Sequence, residues 1–132
     1  MDSEEPKNKD KPVKDENAAH PIADEWRPTI RRVVKQLARG DYSLARDQGA
    51  DVQISEASAK QIQAYIDQYG ESLVDLPDET WSTSVAQWMG SHWDLLVDLW
   101  TSESGRSDLV LAARVYEKND IYRFVIDSVY VP

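Results

Sequence analysis

The sequence predicts an α+β fold, with N-terminal helices packed on one face of a C-terminal antiparallel sheet. Three observations lead there. Apolar residues recur at helical spacing over 26–37 and again over 59–69. They alternate singly from residue 93 to the end, and short turn-forming stretches separate the alternating runs. Helices first and strands last is the order in which helices cover one sheet face.

Residues 1–24 mix Lys, Asp, Glu, Asn and Pro with almost no large apolar side chains. Such a stretch buries too little surface to offset its ordering entropy, so it reads as a disordered tail ahead of a single α+β domain over 25–132. Trp26, Ile30, Val33, Val34 and Leu37 then share a helical face that Gly40 ends, with Asp24 placed to cap it. Residues 40–54 carry turn residues and a short strand at 51–54. Ser58 and Gln61 have the spacing of a capping box for a second helix over about 56–69, whose stripe is Ala59, Ile62, Tyr65, Ile66 and Tyr69. Leu73, Val74 and Leu76 precede Pro77 and read as an edge strand.

Residues 78–92 are ambiguous. Trp81, Val85, Trp88 and Met89 share a helical face, while the Thr, Ser and Val content also permits a strand; a short helix or turn is the expectation. From Trp93 onward the pattern is a three-stranded meander. Trp93, Leu95, Val97 and Leu99 form one face of its first strand, and Leu109, Leu111, Ala113 and Val115 one face of its second. Lys118-Asn119-Asp120 makes the hairpin turn. In the last strand Tyr122, Phe124, Ile126 and Tyr130 are expected on one face, with Val125, Val129 and Val131 on the other.

The residue inventory excludes several chemistries. With no cysteine among 132 residues there is no disulfide, thiolate metal site or cysteine nucleophile. Of two histidines, His20 falls in the tail and His92 stands alone, so neither zinc nor a His-based catalytic set is expected. No Gly-rich phosphate loop, calcium loop or nucleophile elbow is present, and no cofactor is expected. Asp94 and Asp98 share a strand face, but four residues of strand separate their Cα atoms by about 13 Å, too far for a glycosidic acid–base pair. No apolar run reaches the length of a membrane span and no signal-type segment leads the chain, so a cytoplasmic location is the expectation.

Charge is segregated along the chain. The formal net charge is −9, yet residues 26–49 carry a net of +4 and residues 50–105 a net of −9. The total disfavours nucleic acid and anionic membranes as partners, and the acidic middle favours a basic protein. Four of the five tryptophans lie in that middle section, and tryptophan is enriched at binding hot spots. The expected partner-binding residues are therefore Asp75, Asp78, Glu79, Trp88, Asp94 and Asp98. The competing explanation is internal: the basic helix packs beside the acidic region and neutralises it.

The segment WDLLVDLWT, followed by GRSDL at Gly105–Leu109, resembles a bacterial family of uncharacterised small proteins with a W-x-x-x-V-D-L-W-T segment leading to G-R-S-D-L. The helix beginning WRPTIRRVVKQLARGDY looks like that family's start. In general appearance the family is similar to the compact immunity proteins of bacterial toxin systems, and more loosely to nuclear-transport-factor-like folds. The family carries no assigned activity, and the acidic and aromatic residues of the middle section give the leading expectation, a non-enzymatic protein-binding module, of immunity type, whose partner is a basic protein such as a toxin or nuclease. The alternative is a ligand-binding or enzymatic α+β roll with a pocket between helix and sheet, where His92, Asp98 and Arg114 would converge. A third reading, nucleic-acid contact through Arg27, Arg31, Lys35 and Arg39, runs against the overall charge.

Overall fold

A computed structural model describes residues 9–44 and 51–132. Two helices, α1 (Arg27–Ala38) and α2 (Glu56–Tyr69), lie against a six-stranded sheet. Its strands are β1 (His20–Pro21), β2 (Val52–Ile54), β3 (Val85–Trp88), β4 (Trp93–Thr101), β5 (Gly105–Lys118) and β6 (Ile121–Tyr130), in the spatial order β1-β3-β4-β5-β6-β2. All neighbours are antiparallel except β2 and β6, which run parallel. The fold class is α+β, as the periodicity predicts, but the sheet is larger than a three-stranded meander. Among the described residues no helix is long and apolar enough to cross a membrane.

The predicted alternation sets the core. Trp93, Leu95, Val97 and Leu99 of β4 point to the helices, as do Leu109, Leu111, Ala113 and Val115 of β5. They join Ile30, Val33, Val34 and Leu37 of α1 and Ile62 and Ile66 of α2 in one buried cluster. The turn from β5 to β6 places Asn119 and Asp120 at positive φ, 54° and 65°, which is the backbone a tight two-residue hairpin demands. Gly70 closes α2 with φ of +83°, a left-handed cap that suits glycine.

Four local expectations are corrected. Ser55, not Ser58, caps α2: its hydroxyl accepts the Ser58 N–H at 3.0 Å. Gln61 is thereby released from the cap, and its amide instead bonds both backbone groups of Val129. Asp24 does not cap α1; a single 3-10 turn, Asp24–Trp26, precedes the helix, and Asp24 pairs with Arg27 at 3.2 Å. Residues 73–76 do not form a strand, and only an isolated bridge joins Leu73 to Thr101. Residues 78–92 divide into a 3-10 turn (Asp78–Ser82), as expected, and β3, which was not.

The face assignment of β6 is right only for its first half. Tyr122, Phe124 and Ile126 follow the inward phase, but Val129 is also fully buried and Tyr130 is not. Ala113 pairs with Ile126 while Ala112 pairs with Ser128, so Asp127 is an extra residue on β6. One inserted residue reverses the inward phase of everything after it. Asp127 is held by a bidentate contact from Arg114 at 2.8 and 2.9 Å.

Residues 9–24 make defined contacts with the rest of the fold. Asp24 N–H donates to the Asp10 carbonyl at 2.9 Å, Trp93 Nε1 donates to the Val13 carbonyl at 2.9 Å, and His20–Pro21 pairs with β3. Ile22 and Ala23, both fully buried in the core cluster, anchor the end of the segment, and these polar contacts hold the rest of it against the folded body. Residues 1–8 lie outside the described residues.

Candidate functional site

Both helices lie on one face of the sheet, and among the described residues no helix covers the other. Register fixes what that open face displays. Val85, Leu96, Ala112 and Ser128 stand in one row across β3, β4, β5 and β6. Gln87, Asp94, Arg114 and Val125 form the next row, while Asp98, Val110 and Tyr130 form a third. Leu96 is 38% exposed at the centre of the β4 strip, with Asp94 and Asp98 on either side of it along the strand. An apolar spot between two carboxylates is therefore the principal feature of this face.

The polar groups of the open face are partly tied to one another. His92 Nε2 lies 3.0 Å from Asp94 Oδ1, and His92 Nδ1 lies 2.9 Å from Ser91 Oγ. The His92 ring stacks at 5.1 Å on Tyr116, whose hydroxyl accepts from Arg114 at 2.7 Å. Arg114, bonded chiefly to Asp127, is held still further above its ordinary pKa and stays a fixed cation. Ser91, His92 and Asp94 thus form a hydrogen-bonded chain beside the open face, in which the His92 side chain is largely buried and Asp94 is half-exposed. A surface hollow of about 330 Å³ beside Tyr116 is lined by Tyr116, Lys118, Asn119, Ile121 and Arg123.

Asp98 has a structural side as well. Its backbone N–H donates to Ser84 Oγ at 2.9 Å, its carbonyl accepts from Thr80 Oγ1 at 2.6 Å, and its carboxylate accepts from the Thr83 hydroxyl. Because the main chain carries the first two bonds, the carboxylate can change without releasing the Asp78–Ser82 turn from β4.

The six expected partner residues do not share one surface. Asp78 is paired with Arg31 and Asp75 sits 3.8 Å from Lys35, so two of them are held by the basic face of α1. Arg31 also donates to the Leu76 carbonyl at 2.8 Å, and Arg27 pairs with Asp10 at 2.7 Å. Internal neutralisation accounts for these residues, and it also occupies much of the cationic row on which the nucleic-acid reading rests. Glu79 is exposed on the 3-10 turn. Only Asp94 and Asp98 lie on the open face.

Trp88 belongs to a different feature, an aromatic ledge at the ends of β3 and β4. Its ring centre is 4.6 Å from that of Trp93, which meets Trp26 edge-on at 5.1 Å; Tyr122 meets Trp26 at 5.4 Å. None of the five tryptophans is exposed: Trp26, Trp81 and Trp93 are buried, and Trp88 and Trp100 are half-buried. The indole of Trp81 lies under the guanidinium groups of Arg27 and Arg31 at 5.3 and 5.6 Å. The ledge was not legible as a unit in the sequence, since its rings come from four separate elements.

Burial, and then the carboxylates of Glu25, Glu117 and Asp120, push the Tyr122 phenol above its ordinary range. Burial and Asp67 do the same for Tyr42. The fold favours the neutral phenol in both. That contribution is complete below an unfolded-state value of ~10 and is lost as pH rises through the higher folded values. A spectrophotometric titration is expected to show two late-ionising tyrosines, one of which disappears in Tyr122→Phe. An unchanged late phase in that variant would contradict the assignment.

The space between α1 and the strands is filled by the buried cluster, and His92, Asp98 and Arg114 stand on the opposite face. Among the described residues no group of three His, Cys, Asp or Glu side chains is arranged to hold a metal ion.

Fold and site together define a small α+β domain with one sheet face covered by helices and one open. The chain belongs to the family described as a domain of unknown function (DUF7668), which matches residues 34–132. The matched stretch includes β4, the Gly105–Leu109 segment and the open face from β3 to β6. Comparison with curated proteins and with solved structures finds no match.

Proposed function

We propose that the protein is a non-enzymatic protein-binding module that docks a basic protein on the open face of its sheet. It would act in the cytoplasm, as an immunity-type inhibitor of a basic toxin or nuclease does. The observation that carries this reading is the half-exposed Leu96 set between Asp94 and Asp98 on a face that no helix covers. An apolar centre supplies the desolvated contact, and the flanking carboxylates supply complementarity, which acts chiefly on association rate and specificity. The net charge of −9 adds long-range attraction for a cationic partner.

The test is affinity capture from the native cell followed by measurement on the retained protein. A stoichiometric basic partner is expected, with binding weakened at least about tenfold by Asp94→Lys combined with Asp98→Lys and weakened further by added salt. Binding that is indifferent to both changes would sink the reading.

A further inference from the structure

Residues 10–24 form a loop clasped at its ends. The Asp24 N–H donates to the Asp10 carbonyl at 2.9 Å, and the Arg27 guanidinium donates to the Asp10 carboxylate at 2.7 Å. Between those ends the loop crosses the aromatic ledge, and several of the contacts that hold it there are made to its main chain. Trp93 Nε1 donates to the carbonyl of Val13 at 2.9 Å, and Gln87 Nε2 donates to the carbonyl of Asp15 at 3.1 Å. Those two carbonyls belong to alternate residues.

The residue between them is read by its side chain. The Lys14 ammonium lies 5.2 Å from the centre of the Trp88 ring, 5.9 Å from that of Trp93, and 3.0 Å from the Glu117 carboxylate. Two indole faces and a carboxylate around one ammonium select a lysine-like cation. The two side-chain donors aimed at main-chain carbonyls accept any flanking sequence. Val13 adds little apolar anchoring, being 39% exposed.

The receptor groups and the occupant come from different parts of the chain. Gln87, Trp88, Trp93 and Glu117 all fall within the family-matched residues 34–132, whereas the loop precedes them. We propose that the ledge is a lysine-peptide-binding site of the domain, and that residues 10–17 fill it in cis in place of an extended, lysine-bearing segment of a partner protein. The partner segment would seat its lysine between Trp88, Trp93 and Glu117 and offer its neighbouring carbonyls to Trp93 Nε1 and Gln87 Nε2. A tethered occupant competes at an effective concentration in the millimolar range, so the site answers only to a partner that outcompetes it or to release of the clasp. This surface uses residues other than Asp94, Leu96 and Asp98, and its fate is separate from that of the open face.

The experiment uses the full chain carrying Asp10→Ala, which removes the side-chain half of the clasp, together with Lys14→Ala, which empties the slot. The probe is a synthetic peptide of residues 9–17 (Lys-Asp-Lys-Pro-Val-Lys-Asp-Glu-Asn), and its comparison is the same peptide with norleucine at the Lys14 place. Tryptophan fluorescence and the NMR shift of the Trp93 indole N–H follow binding. The double variant is expected to bind the lysine peptide at least about tenfold more tightly than the unaltered chain does. Norleucine, or Glu117→Gln added to the variant, is expected to remove at least about tenfold of that affinity. Adding Asp94→Lys and Asp98→Lys is expected to leave it unchanged. A folded variant that does not bind the peptide, or binds both peptides equally, overturns the proposal. So does a concentration-dependent dimer in which each copy receives the other's loop. If the double variant does not fold, Lys14→Ala alone retains the clasp, and the lysine-against-norleucine comparison on it decides in the same way.

Discussion

Trp93→Ala is expected to destabilise the protein by about 3–5 kcal/mol, the cost typical of emptying a large aromatic site in a packed core. Trp93 is 1% exposed and touches three other rings, those of Trp26, Trp88 and Tyr122. The indole also anchors the 10–24 loop through its N–H, so its loss removes packing and tether together. A fall in the thermal midpoint of more than ~10 °C is expected, read by circular dichroism. Trp93→Phe retains most of the packing and loses the tether, and it should lose less than half as much. Equal losses for the two variants would mean that the hydrogen bond, not the cavity, dominates.

The second large effect is expected at Gln61. Its side-chain amide donates to the Val129 carbonyl at 2.8 Å and accepts the Val129 N–H at 3.3 Å, the pair of bonds a neighbouring strand would make. β2 pairs with β6 only from Phe124 to Ile126, so beyond that point α2 supplies the missing partner through one side chain. Val129 is fully buried, and water cannot readily replace the amide. Gln61→Ala strands two backbone groups at a cost of roughly 1–3 kcal/mol each, or about 2–4 kcal/mol after partial relaxation. Urea unfolding measures the total, and hydrogen exchange at Val129 shows whether the end of β6 opens first. A loss below ~1 kcal/mol would show that water does fill the gap.

Gln61 also illustrates what the sequence conceals. Ser58 and Gln61 have capping-box spacing, yet Ser55 lies one turn earlier and takes the cap, which frees Gln61 for a contact 68 residues away. Elements with strong periodicity, α1, α2, β4 and β5, are legible because burial dictates the pattern. β3 is not, since in four residues its β-branched and polar side chains fit a strand or a helical turn equally. The second half of β6 is misread because a bulge leaves no mark in composition; Asp127 shifts the phase without interrupting the run of strand formers.

The candidate site divides along similar lines. The placement of Asp94 and Asp98 on one face follows from strand alternation alone. That Asp75 and Asp78 are claimed by Lys35 and Arg31 depends on how α1 docks beside the chain that follows α2, which is tertiary information. The order in residues 9–24 is the least legible part. Lys14, Asp15 and Asp10 would be ordinary members of a solvated segment, and only the matching groups of Trp88, Trp93, Glu117, Gln87 and Arg27 make them specific.

The shape of the sheet margins bears on how copies of the chain behave when crowded together. At one margin stands β1, two residues long, one of them a proline without an N–H to offer. At the other stands β2, three residues long, with Gln61 occupying the backbone of β6 at Val129 beyond it. Among the described residues, a second chain approaching either side meets only these short strands on which to extend the hydrogen-bonded ladder. Both flanks therefore resist the strand-on-strand templating that leads to cross-β aggregates, even though β4, β5 and β6 are long and rich in the β-branched and aromatic residues that favour it.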